Sequence, residues 1–111
     1  MKIAVPLVQG NLSMHFGHCD SFAIMDVDQD GKVTHRIDLI PPPHEPGVLP
    51  SWLHSQSVTH IIAGGMGSRA QGLFAENSIS VIVGAPDKNP EELASMCVIG
   101  TLDNGDNVCD H

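Results

Sequence analysis

Within seven residues, Met14-His15-Phe16-Gly17-His18-Cys19-Asp20, the chain places two imidazoles and a thiol. Imidazole and thiolate suit zinc, copper and iron-sulfur chemistry, whereas calcium and magnesium prefer carboxylate and carbonyl oxygen. If the segment takes a helical turn, His15 and Cys19 stand at i and i+4 and face the same way, with His18 pointing elsewhere. The bland alternative is that His15 hydrogen-bonds a loop and Cys19 is a small buried hydrophobe. A second Cys and His pair, Cys109 and His111, ends the chain. It either folds over to complete a coordination shell or stays unstructured. There is no Cys-x-x-Cys, so a conventional zinc finger is not expected. The candidate metal ligands are therefore His15, His18, Cys19, Cys109 and His111.

Gly64-Gly65-Met66-Gly67-Ser68 is the second candidate feature, lying between an expected strand and an expected helix. Consecutive backbone N–H groups at such a junction approach an anion closely, and the helix end adds partial positive charge. The spacing matches neither G-x-G-x-x-G nor the phosphate loop with its Gly-Lys-Ser/Thr. Taken alone, the glycines mean tight strand–helix packing. His44 lies in a proline-rich stretch where loops following parallel strands gather, or is solvated. His35 and His60 sit in strands as packing or surface residues, His54 has no constellation around it, and Cys97 belongs to an apolar helix. Neither a Ser-His-Asp ordering nor paired carboxylates in an apolar frame is present, so the residues propose no reaction.

These residues need a scaffold. With 111 residues, 41% hydrophobic and 16% charged, the chain has enough apolar surface for one folded domain. Its formal charge of −8 repels phosphate backbones and anionic lipid, so nucleic acid and membrane are not expected partners. Without an apolar run of about 20 residues or a signal peptide, a cytoplasmic location is expected. An odd cysteine set without a secretion signal points to free thiols or metal ligands.

Apolar Lys2 to Leu7 predicts a first strand that turn residues 9–13 end. Residues 22–27 and 33–40 predict a hairpin around Asp30-Gly31. In its second strand Val33, His35, Ile37 and Leu39 line the half-buried face. The prolines of 41–50 predict a loop, followed by a short helix over 51–57. Then come a strand over 58–63, a helix from Ser68 to about Asn77, a strand over 79–83, and a helix opened by Asn89-Pro90 and running to Ile99. The polar segment 101–111 predicts a flexible tail after a domain over 1–100. This order implies an α/β protein: three layers, α/β/α, around a mixed five-stranded sheet, antiparallel first and parallel after.

Matching motifs run across most of the chain: Met1-Lys2-Ile3-Ala4-Val5, His15-Phe16-Gly17, His44-Glu45-Pro46-Gly47, Ile62-Ala63-Gly64-Gly65-Met66-Gly67 with Ala70, and Ile79-Ser80-Val81. In this combination the chain resembles the dinitrogenase iron-molybdenum cofactor biosynthesis family. The resemblance implies an RNase H-like fold without the nuclease's acidic site. It also implies binding of iron-molybdenum cofactor, a precursor, or a related cluster of iron, sulfur, molybdenum or copper. Cargo would pass between cluster donor and acceptor proteins, from a monomer or weak homodimer. His15 is the implied cluster ligand, and Phe16, Gly17 and residues Gly64, Gly65, Met66, Gly67 and Ser68 would line the pocket. Cys19, Cys109 and His111 fall outside the common pattern and suggest a subgroup with additional ligands. The expected role is therefore a cluster carrier, not an enzyme. The alternative is a regulatory or adaptor module that binds a partner protein, with an incidental metal.

Overall fold

The computed structural model describes residues 1–13, 19–42, 47–86 and 88–100. His15, Phe16, Gly17, His18, His44, Cys109 and His111, and the expected tail over 101–111, lie outside the described residues. Along the chain run β1 (Lys2–Val8), β2 (Asn11–Leu12), β3 (Ser21–Val27), β4 (Val33–Leu39), α1 (Val48–Ser55), β5 (His60–Ile62), α2 (Ser68–Glu76), β6 (Ser80–Ile82) and α3 (Pro90–Ile99). The sheet order is β4-β3-β1-β5-β6, and β2 pairs with β1 off that path. β1 is antiparallel to β3 and β3 to β4, while β1, β5 and β6 run parallel. The expected mixed sheet is therefore present, with one strand more than the five predicted.

That extra strand, β2, is made by a two-residue turn. Val8 pairs with Asn11, and between them Gln9 and Gly10 both take positive φ, 51° and 84°. Positive φ at both central positions is the pattern of a type I′ hairpin turn, which Asn-Gly supplies easily and Gln does not. The Asp20 carboxylate accepts the Gln9 N–H at 3.0 Å and holds the turn. Pro6, inside a central strand, loses no ladder bond that matters, because the β1–β5 pairing stops at Ala4.

Alternation along the inner strands builds two cores. Ile3, Val5 and Leu7 join Ala23, Met25, Ile62 and the α3 residues Leu93 and Ala94 on one face. Ala4, Phe22, Ile24 and Ile61 meet Leu49 and Leu53 of α1 and Phe74 of α2 on the other. The three-layer α/β/α arrangement follows from this period of two in strands buried on both sides.

Two expectations need correction. Helix α1 begins at Val48, inside the stretch read as loop, because Pro50 falls in the first turn, where backbone N–H groups have no intrahelical acceptor to lose. On β4 only Val33 and Leu39 of the predicted face are partly buried, while His35 and Ile37 are exposed. The strand lies at the sheet edge, where Leu39 still packs against the core under α1 and α2 but Ile37 does not, and its pairing is shifted by a bulge opposite Asp26/Val27. The α3 start is as predicted: Asn89 Oδ1 accepts the Glu91 N–H at 2.8 Å, and Pro90 opens the helix.

Candidate functional site

Because β1, β5 and β6 are parallel, the segments that follow them emerge at one edge of the sheet, where β3 begins and β4 ends. The chain enters residues 14–18 from Ser13, whose N–H donates to the Pro6 carbonyl at 2.9 Å. It is recaptured at Asp20, whose N–H donates to the Leu7 carbonyl at 2.8 Å. Ser13 and Asp20, which flank residues 14–18 in the chain, are thus fixed to the C-terminal end of β1. Asp20 does further structural work: its second carboxylate oxygen accepts the Ser21 hydroxyl at 3.1 Å.

Cys19 is half-buried and packs against the core beneath α1 and α2. Burial, reinforced by the neighbouring Asp20 charge and opposed by a backbone hydrogen bond, pushes its thiol up to about 11. At neutral pH the uncomplexed group is a thiol, so a metal ion binding there has to displace its proton. Cys97 packs into the core under α3, on the other side of the sheet, and burial raises its thiol too. The two cysteines are not brought together. Among the described residues no group of three His, Cys, Asp or Glu side chains is placed to hold a metal ion.

The glycine-rich junction at this edge is tied to its neighbour. The Ala63 N–H donates to the Ile82 carbonyl at 2.9 Å, Gly84 donates to the Gly64 carbonyl at 2.9 Å, and Ala85 to the Ala63 carbonyl at 3.2 Å. Gly64 and Gly65 are buried, and Met66 lies wholly in the core, so Met66 offers its backbone to this edge and not its thioether. Gln71 Nε2 donates to the Met66 carbonyl at 2.9 Å and holds the junction against α2.

Helix α2 opens at Ser68 with Gly67 as its N-cap in an extended conformation, without a side-chain cap or an acidic residue in the first turn. Its leading N–H groups therefore concentrate partial positive charge beside the glycines. Arg69, exposed in that first turn, adds a full charge and makes no ion pair among the described residues. A cation at a helix N-terminus opposes the macrodipole, so the placement costs stability and favours an anion nearby. Sequence reasoning passed over Arg69; the only signal was a lone basic residue after the glycines in a strongly acidic chain.

Beside the start of α1 lies an open depression of about 530 Å³ lined by Pro42, Gly47, Val48, Ser51, Trp52 and Ser55. Trp52 is anchored there by its contact with Phe22, ring centroids 5.8 Å apart. Two of the remaining histidines make local hydrogen bonds. His54 Nδ1 bonds the Asn77 carbonyl at 3.0 Å, and His60 Nδ1 bonds Thr59 Oγ1 at 2.8 Å. No helix among the described residues is long and apolar enough to cross a membrane.

No curated protein matches the chain. Among solved structures it is similar to the crystal structure of PH0822, at 25% identity and a TM-score of 0.82, with 94% of each chain covered. It is also similar to a candidate dinitrogenase, MJ0327 from Methanocaldococcus jannaschii, at 20% identity and a TM-score of 0.74, with 96% of each chain covered. The solution structure of that protein gives the same identity and TM-score. These likenesses establish the fold. The family assignment comes from the sequence itself, since residues 1–98 match the model described as dinitrogenase iron-molybdenum cofactor. Together with the motifs at this sheet edge, that match places the chain in the dinitrogenase iron-molybdenum cofactor family.

Proposed function

We propose that the protein binds an anionic metal-sulfur cluster as cargo, either iron-molybdenum cofactor, a precursor or a related iron-sulfur or molybdenum cluster, and hands it to an acceptor protein without catalysing a reaction. The observation that carries this reading is the electropositive α2 start. In a chain of net charge −8, an uncapped helix N-terminus, a glycine junction and Arg69 meet at the edge where Ser13 and Asp20 are anchored. A thiolate-rich or sulfide-rich cluster is negatively charged, and backbone N–H groups solvate such charge without competing as ligands.

In this reading His15 is the protein ligand, with His18, Cys19, Cys109 and His111 as the further candidates. Phe16, Gly17 and Gly64 to Ser68 would shape the pocket. Few ligands and an open edge suit release better than a closed four-ligand cage does.

The test is to purify the chain without oxygen, reconstitute it with iron, sulfide and molybdate, and record visible absorption with metal and sulfide content for wild type and His15→Ala. Coloured, sulfide-containing protein that loses its cargo in the variant is expected. Wild type that stays colourless and empty would sink the carrier reading and favour an adaptor that binds a partner protein.

A further inference from the structure

Strand β4 ends the strand path of the sheet and pairs on one side only, with β3. Val27 N–H donates to the Met1 carbonyl, so Val27, Met25 and Ala23 turn their backbone groups toward β1 and the alternate residues Asp26, Ile24 and Phe22 turn theirs toward β4. Ile24 and Phe22 are opposite Ile37 and Leu39. The backbone groups of Ile37 and Leu39 therefore point inward, and those of Arg36 and Asp38 point out of the sheet, along an edge that no strand of the described sheet occupies. The strand also leaves apolar surface uncovered: Ile37 is 45% exposed and Ile40, just beyond its end, 83%.

We infer that a second copy of this chain covers that edge, the two β4 strands pairing antiparallel about a two-fold axis at Ile37. Charge selects the register among those that backbone direction allows. With Ile37 opposite the partner's Ile37, Arg36 stands opposite the partner's Asp38, and Asp38 opposite the partner's Arg36. Opposite-charge pairs directly across an antiparallel ladder are favourable, and like charges there are not. The same register makes the Arg36 and Asp38 positions the hydrogen-bonded pairs and the two Ile37 residues the closer, non-hydrogen-bonded pair, as the outward direction of their backbone groups requires.

Arg36 is already preorganised for this role. It forks onto Asp38 through Nε and Nη2, at 2.8 and 3.0 Å, and reaches Glu91 of α3 through Nη1 at 3.0 Å. The pairing interleaves two such forks on the α3 side of the sheet and buries the two Ile37 side chains on the other. The net charge of −8 per chain opposes it, which keeps the association weak and raises the demand on the register.

Antiparallel pairing of the two edges also points the C-terminal ends of the two β4 strands in opposite directions. Each copy then keeps its own site at its own sheet edge, and the dimer carries two separate sites.

The test uses the full, metal-free chain in analytical ultracentrifugation up to about 1 mM, with amide hydrogen exchange read by NMR. Wild type should dimerise with rising concentration, and exchange at Arg36 and Asp38 should slow in parallel. Ile37→Lys, which removes no contact of the Arg36 fork, should weaken dimerisation by ~10-fold or more. Arg36→Asp and Asp38→Arg should each do the same by facing like charges, and the double exchange Arg36→Asp/Asp38→Arg should restore it. Circular dichroism of each variant checks that it is folded, and Ile37→Lys decides the matter if a charge variant is not. Wild type that stays monomeric overturns the proposal, as does dimerisation indifferent to all four variants. Protection of Arg36 and Asp38 that does not depend on concentration would mean that the chain's own residues cover the edge, and would overturn it as well.

Discussion

The Gly64 carbonyl accepts the Gly84 N–H at 2.9 Å, so the segments leaving β5 and β6 form one unit at the sheet edge and not two independent loops. Gly84 holds φ at 71°, a left-handed conformation that costs a residue bearing a β-carbon about 1–2 kcal/mol. Gly84→Ala should lower stability by about that amount, seen as a reduced urea midpoint at unchanged slope. It should also weaken cluster retention, since the strain is relieved through Gly64. Full retention alongside the expected loss of stability would show that the second segment does not hold the first.

Arg69 gives a prediction in which stability and binding move in opposite directions. Arg69→Glu replaces an unfavourable charge at the α2 N-terminus by a favourable one, and should stabilise the metal-free protein by roughly 0.5–1 kcal/mol. The same change should weaken uptake of an anionic cluster in reconstitution. A variant that is stabilised yet binds normally would remove Arg69 from the site.

At the opposite end of the β3–β4 hairpin, a β-carbon on Gly31 would lie 2.7 Å from Ile99 Cγ2 and 3.0 Å from Ser95 Oγ, and φ there is +83°. Gly31→Ala should therefore cost more than the ~1–2 kcal/mol of the backbone term alone. Ile99→Ala should recover part of the excess, which a double-mutant cycle by urea unfolding would read. Additive losses would mean that the hairpin turn is not held close to α3 in solution.

The His60 imidazole is pushed below its ordinary value of 6.5 by burial, with the positive chain terminus adding to the effect. The unfolded chain therefore takes up this proton more readily than the folded one. The contribution of the neutral ring is complete above pH 6.5 and is lost as pH falls through the folded value. Urea unfolding of wild type and His60→Asn across that range should show a steeper acid-side loss in wild type. Parallel curves would contradict the assignment.

Most of the fold was legible because the inner strands and the last helix carry strong local signals. Ile3 to Leu7, Phe22 to Val27 and Asn89-Pro90 behave as their patterns dictate. The departures are tertiary. Pro50 looks like a helix breaker until its place in a first turn is known, and Gln9 gives no hint that it will take a left-handed turn position backed by Asp20. Ile37 reads as core in a strand that proves to be an edge. The glycine junction was placed correctly between strand and helix, but the weight of Arg69 depends on the missing cap of α2, and composition does not carry that information.

Cys19 and Cys97 lie in different cores with the sheet between them. A disulfide needs Cα atoms within about 4.4–6.8 Å and converging side chains, so an oxidant cannot join these two sulfurs in the folded chain. A Cys19–Cys97 crosslink within one chain is therefore a chemical record that the molecule has unfolded. Mapping that bond after oxidation separates damage to the fold from chemistry at the thiol beside the sheet edge.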